Sequence, residues 1–93
     1  MNELVTNRIL VRGKSYLVRE LTGREMAGVR ALLEKEKQRI PAYVASVACM
    51  DPKLGTEAEC AEMPHRLLDA ISTESVRLTN ADETGKEEAA KKD

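Results

Sequence analysis

Two short apolar runs bounded by polar residues lie near the start of the chain, Arg8–Arg12 (RILVR) and Ser15–Arg19 (SYLVR). A period of two residues places successive side chains on opposite faces of a strand. Between the runs lies Gly13-Lys14, the sequence form of a type II′ two-residue turn, which suits a hairpin. That turn sets Val11 opposite Tyr16, Leu10 opposite Leu17, Ile9 opposite Val18 and Arg8 opposite Arg19. One face then carries Ile9, Val11, Tyr16 and Val18, the expected core side. The other carries Arg8, Leu10, Arg12, Leu17 and Arg19. Like charges opposed at Arg8 and Arg19 are mildly destabilising unless an acid or solvent lies across them. This face reads either as a wet surface, with Arg stems covering the leucines, or as a docking face for a partner. A lone hairpin is marginal in water, so it must pack on helices.

Period-3.6 patterning takes over at Thr22. Thr22-Gly23-Arg24-Glu25 fits a capping box, in which a Thr oxygen and a Glu carboxylate satisfy orphan amides reciprocally. Met26, Val29, Leu32, Leu33 and Ile40 follow near helical spacing as one stripe, predicting a helix over about 23–39. Pro41 interrupts it and opens a second helix, about 41–50, with Tyr43, Val44, Val47 and Met50 on its apolar face. Asp51-Pro52-Lys53-Leu54-Gly55 reads as a loop. Thr56 and Glu59 repeat the capping-box pattern over a short acidic turn. Pro64 starts a last helix, 64–79, lined by Leu67, Leu68, Ile71, Ser75 and Leu78. Beyond Asn80 no bulky apolar residue remains and charges crowd, so 81–93 is expected to be a disordered tail. The fold class is mainly α with an N-terminal β-hairpin (α+β). Residues 1–80 form one globular domain, a hairpin over 4–21 with three to four helices packed on it.

Composition changes this picture in three ways. The chain has 93 residues with neither Trp nor Phe, and its formal net charge is -1. The core must therefore be aliphatic, and no global field draws the molecule to nucleic acid or anionic lipid. No apolar run approaches the roughly 20 residues of a membrane span. The N-terminus lacks the apolar core of a signal peptide. Cys49 and Cys60 are too few for a disulfide framework, which points to a reducing cytoplasm.

Candidate chemistry is sparse. His65 and Asp69 stand four apart on the last helix, with Cys49 or Cys60 as a nominal nucleophile. A catalytic thiol needs a base and an orienting third group within hydrogen-bond reach, whereas residue types alone fit a surface pair. Cys49, Cys60 and His65 lack the close ligand pairs of structural zinc sites and fit buried small hydrophobes better. No Gly-rich phosphate loop is present. The cations Arg8, Arg12, Lys14 and Arg19 offer only modest counterion release, and Tyr16, the aromatic nearest them, belongs to the opposite face. The sequence is thus read as carrying no catalytic residues, cofactor or metal.

Two segments resemble a known family. Gly13-Lys14-Ser15-Tyr16-Leu17-Val18-Arg19-Glu20-Leu21-Thr22-Gly23-Arg24-Glu25 is similar to the N-terminal signature of tail assembly chaperones of long-tailed bacteriophages: a Gly-Lys turn, an alternating strand, an Arg-Glu-Leu-Thr run and an acidic helix start. Gly55–Pro64 resembles the family's acidic turn, with Met63-Pro64 in place of its Leu-Pro, leading into a Leu-rich final helix. The likeness covers most of residues 8–80. It implies a non-enzymatic protein of the host cytoplasm that binds the tape-measure protein, keeps it soluble, helps recruit tail-tube subunits, self-associates and is absent from the finished virion. In many members a second, longer form arises by ribosomal frameshifting. The family carries no catalytic residues across. Such a protein shields apolar helical stripes, as an amphipathic helix lies in a groove. The surfaces expected to do so are the hairpin face with Arg8, Leu10, Arg12, Leu17 and Arg19, and a helix–helix groove around Tyr43, Val47 and Leu68. A small DNA-binding regulator or a minor tail or connector component are the alternative readings.

Overall fold

The two apolar runs become two antiparallel strands, β1 (Thr6–Val11) and β2 (Lys14–Arg19). The computed structural model describes residues 4–91. Register departs from the expected one: Val11 pairs with Lys14, Ile9 with Tyr16, Arg8 with Leu17 and Thr6 with Arg19. The turn is therefore Arg12-Gly13, with φ of 54° and 82°. Positive φ at both central residues is the type I′ geometry, with Gly at the second place, rather than II′ with Gly first. Moving the turn by one residue shifts the pairing by two, and a shift of two leaves every side chain on its original face. Hence Val11, Tyr16 and Val18 are buried as expected, Ile9 is half-buried, and Arg8 no longer faces Arg19.

A third strand, β3 (Cys49–Asp51), was not visible in the pattern. It joins β2 antiparallel, giving the order β1-β2-β3, with Leu17 opposite Asp51 and an irregularity between Leu17 and Val18. Residues 49–50, expected in the second helix, thus belong to the sheet.

Helix α1 (Gly23–Lys35) begins with the predicted capping box: Thr22 Oγ1 accepts from the Glu25 amide and the Glu25 carboxylate accepts from the Thr22 amide. It ends four residues early, at Glu36, whose φ and ψ of -145° and 60° are not helical. The expected single stripe is therefore split. Val29 is buried, Leu33 is 59% exposed, and Ile40 starts the next helix. A 3₁₀ turn (Lys37–Arg39) leads into α2 (Ile40–Ala48), which carries Pro41 in its first turn, where a missing N–H costs nothing. Its buried side is Ala42, Val44, Ala45 and Ala48, with Tyr43 and Val47 half-buried. Small side chains let α2 lie close to its neighbour.

Helix α3 (Glu57–Cys60) opens with the second predicted capping box, Thr56 and Glu59. Gly55 before it has φ +103°, and a Cβ there would collide with the Glu59 carboxylate. The last helix, α4 (His65–Lys91), buries Leu68, Ile71, Ser75 and Leu78 as the spacing predicts. Its backbone stays helical through Lys91, across positions 81–91 where composition led to an expectation of disorder; 92–93 lie outside the described residues. Ala, Glu and Lys, frequent in this stretch, are strong helix formers on local grounds alone.

The sheet, α2 and α4 share one aliphatic core in which Val18, Val44, Cys60 and Ile71 are fully buried. Two hydroxyls of α4 bind the link between β2 and α1. Ser75 Oγ donates to the Arg19 carbonyl at 2.7 Å, and Thr79 Oγ1 accepts from the Leu21 amide at 2.8 Å. The result is an α+β domain, as the pattern indicated. Among the described residues no helix is long and apolar enough to cross a membrane.

Candidate functional site

Three surface features stand out among the described residues. The first is the polar face of the hairpin. Each of its two expected like charges has an acid from another element. Arg8 Nη2 lies 3.3 Å from Asp51 of β3, across Leu17, and Arg19 makes a two-pronged pair with Glu25 at 2.9 and 2.8 Å. The Arg8 pair is well exposed and contributes little. The Arg19 and Glu25 side chains are only 16% and 17% exposed. Bonding to Arg19 holds the Glu25 carboxyl below its ordinary value, against the opposing effect of burial. Leu17 is half-buried between these pairs, while Leu10 is 74% exposed.

The second feature is a cleft of about 550 Å³ between the 3₁₀ turn, the start of α2, α3 and the start of α4. Pro41, Ala42, Ala61, Met63 and Leu68 give it apolar walls. Lys37, Arg39, Glu57 and His65 supply polar lining. Arg39 bridges two elements: it bonds Glu57 of α3 at 2.8 and 3.0 Å and also contacts Glu36. The Arg39 bonds hold the Glu57 carboxyl below its ordinary value. Of the three residues expected to mark a helix–helix groove, only Leu68 lines this cleft. Tyr43 instead stands against α1, where a Cβ on Gly28 would sit 2.8 Å from its hydroxyl oxygen. Val47 packs against the core. Tyr43 and Val47 therefore stand outside this cleft. The pairing of Arg39 with Glu57, eighteen positions apart, has no sequence signal, because it depends on how α3 folds back on α2.

The third feature is a smaller cavity of about 310 Å³ between the hairpin tip and the first turn of α4, lined by Val11, Arg12, Lys14, Tyr16, Pro64 and Leu67. The Lys14 ammonium stands 5.7 Å from the centre of the Tyr16 ring, within cation–π range. Arg12 occupies the left-handed backbone region, which disfavours a residue bearing a Cβ. Arg12→Gly is accordingly expected to stabilise the fold by about 0.5–1 kcal/mol, measured as a raised urea midpoint with unchanged slope.

The nominal catalytic groups lie on separate elements, Cys49 on β3, Cys60 at the end of α3 and His65 at the start of α4. Cys49 and Cys60 are free and buried. Burial pushes the Cys49 thiol up to about 11, and it donates to the Pro52 carbonyl at 3.2 Å; burial also raises Cys60. Neither is a ready thiolate at neutral pH. His65 is an exposed residue of the cleft, and among the described residues no hydrogen bond joins it to Asp69. Also among the described residues, no three His, Cys, Asp or Glu side chains group as metal ligands would.

Comparison of the chain with models of known families, with curated proteins and with solved structures found no match.

Proposed function

We propose that this chain is a non-enzymatic tail assembly chaperone that covers apolar stripes of a tape-measure protein in the host cytoplasm and helps recruit tail-tube subunits. The partner's identity comes from the resemblance of Gly13–Glu25 and Gly55–Pro64 to that family. The observation that carries the reading is the open cleft of about 550 Å³, apolar along Pro41, Ala42, Met63 and Leu68 and rimmed by Arg39 and Glu57. An amphipathic helix buries its stripe in such a groove while its polar flanks meet the charged rim. Single contacts of this size are weak, and many copies along one long chain gain through effective concentration.

The test is co-expression with the tape-measure protein, scored by the soluble fraction of the latter. The cleft variant combines Ala61→Glu with Met63→Asp, at positions that are exposed and half-buried. It is expected to fold, and to lower the soluble partner about tenfold, the effect of losing roughly 1.4 kcal/mol of binding. Leu10→Asp probes the hairpin face in parallel, and a loss confined to that variant would move the site from the cleft to β1. A tape-measure protein equally insoluble with and without the chain, or the chain present in purified virions, overturns the reading.

A further inference from the structure

We infer that the cavity at the hairpin tip is a receptor for an acidic protein segment carrying an aliphatic anchor residue. The inference concerns a surface distinct from the cleft and stands whether or not the partner there is a tape-measure protein.

The first ground is a cost retained in the turn. The type I′ geometry at Arg12-Gly13 favours Asn or Gly at its first central place, and Arg12 sits there at φ 54°. A residue held in a sparsely populated region points toward a role for its side chain. The second ground is what that side chain borders. Arg12 and Lys14 line a cavity whose other walls are apolar: Val11, Tyr16, Pro64 and Leu67. At about 310 Å³ this space takes one or two aliphatic side chains. The third ground is charge. Among the described residues Arg8 and Arg19 of the same hairpin are in ion pairs, whereas Arg12 and Lys14, like several other surface cations, are in none. Two uncompensated cations beside an apolar pocket are complementary to carboxylates flanking a Leu or Ile. A nucleic acid suits the site less well. Neighbouring Arg8 is neutralised by Asp51, and Tyr16 is only 7% exposed beneath Lys14, leaving no open ring on which a base could stack.

The proposal is tested by titrating the isotopically labelled full chain and following backbone amide shifts by NMR. Four probes are used: a peptide with Leu at helical spacing among Glu residues, the same peptide with Lys for every Glu, the same with Ala for every Leu, and a single-stranded oligonucleotide. The acidic Leu peptide is expected to shift Val11–Tyr16 and Leu67, with affinity falling at least tenfold in the Arg12→Gly, Lys14→Gln double variant and dropping at about 0.5 M salt. The Lys and Ala peptides should give much weaker responses. Should the double variant unfold, Lys14→Gln alone must still weaken binding several-fold. No shifts at millimolar acidic peptide, shifts centred on the cleft residues instead, equal responses to the Lys or Ala peptides, or a stronger response to the oligonucleotide would each overturn the assignment.

Discussion

Ile71→Ala should lower the free energy of unfolding by about 3 kcal/mol, within the ~2–5 kcal/mol typical of truncating a buried Ile to Ala. Ile71 is fully buried, on the helix that packs against α2 and both long strands. Truncation removes the transfer energy of three carbons and leaves a cavity where neighbours from different elements cannot easily collapse inward. For a domain of this size the loss corresponds to a fall in Tm of about 12–24 °C. Urea unfolding is the cleaner measure, with the midpoint falling and the slope unchanged. Ile71→Val, which keeps the branched Cβ, should cost about 1 kcal/mol. A change below about 1 kcal/mol for the Ala variant would mean that α4 does not close the core as described.

Glu25→Ala comes next, with an expected cost of about 2–3 kcal/mol, because one carboxylate performs two tasks. It accepts the Thr22 amide in the capping box at 2.9 Å and holds both terminal nitrogens of Arg19. Loss of the cap exposes the first turn of α1, and Arg19 is left partly buried with one remaining acceptor, the Glu20 carbonyl. Glu25→Gln keeps an oxygen for the cap and removes the charge, so it should cost roughly half as much. The acid dependence has a definite sign. The folded-state pKa of Glu25 is depressed, chiefly by the Arg19 bonds, below an ordinary value of 4.5. Its contribution is therefore complete above that ordinary value and is lost as pH falls through the depressed one. Arg19 stays charged throughout this window. Unfolding midpoints of the wild type and Glu25→Gln should thus converge as pH drops below 4.5. Curves that stay parallel would remove the ion pair from the account. Glu57 and Glu74 are also held below their ordinary values by Arg39 and Arg77, so some acid sensitivity must persist in the variant.

These two cases mark where local patterning reaches and where it stops. The capping boxes at Thr22 and Thr56, the buried row of α4 and the two faces of the hairpin were all readable in the chain. Each depends on residues within a few positions of one another, and the hairpin faces survive even a wrong turn because the side-chain period is two. The same local view misplaced the turn itself. Arg12-Gly13 prevails over Gly13-Lys14, in a register that puts Ile9 against Tyr16 and carries the ladder to the Glu20 amide and Val5 carbonyl at 2.8 Å.

The sequence by itself determined the class of this protein: an α+β domain with an aliphatic core, its helix starts, and which side of the hairpin is greasy. Tertiary structure alone decided the rest. It made Cys49–Asp51 a strand, set Asp51 beside Arg8 and Glu57 beside Arg39, placed Tyr43 against Gly28 of α1, and opened the cleft and the hairpin-tip cavity. Helix caps and periodic faces are short-range properties of the chain. Cavities and cross-element ion pairs are created only when distant segments meet, and no spacing along the backbone encodes where they will.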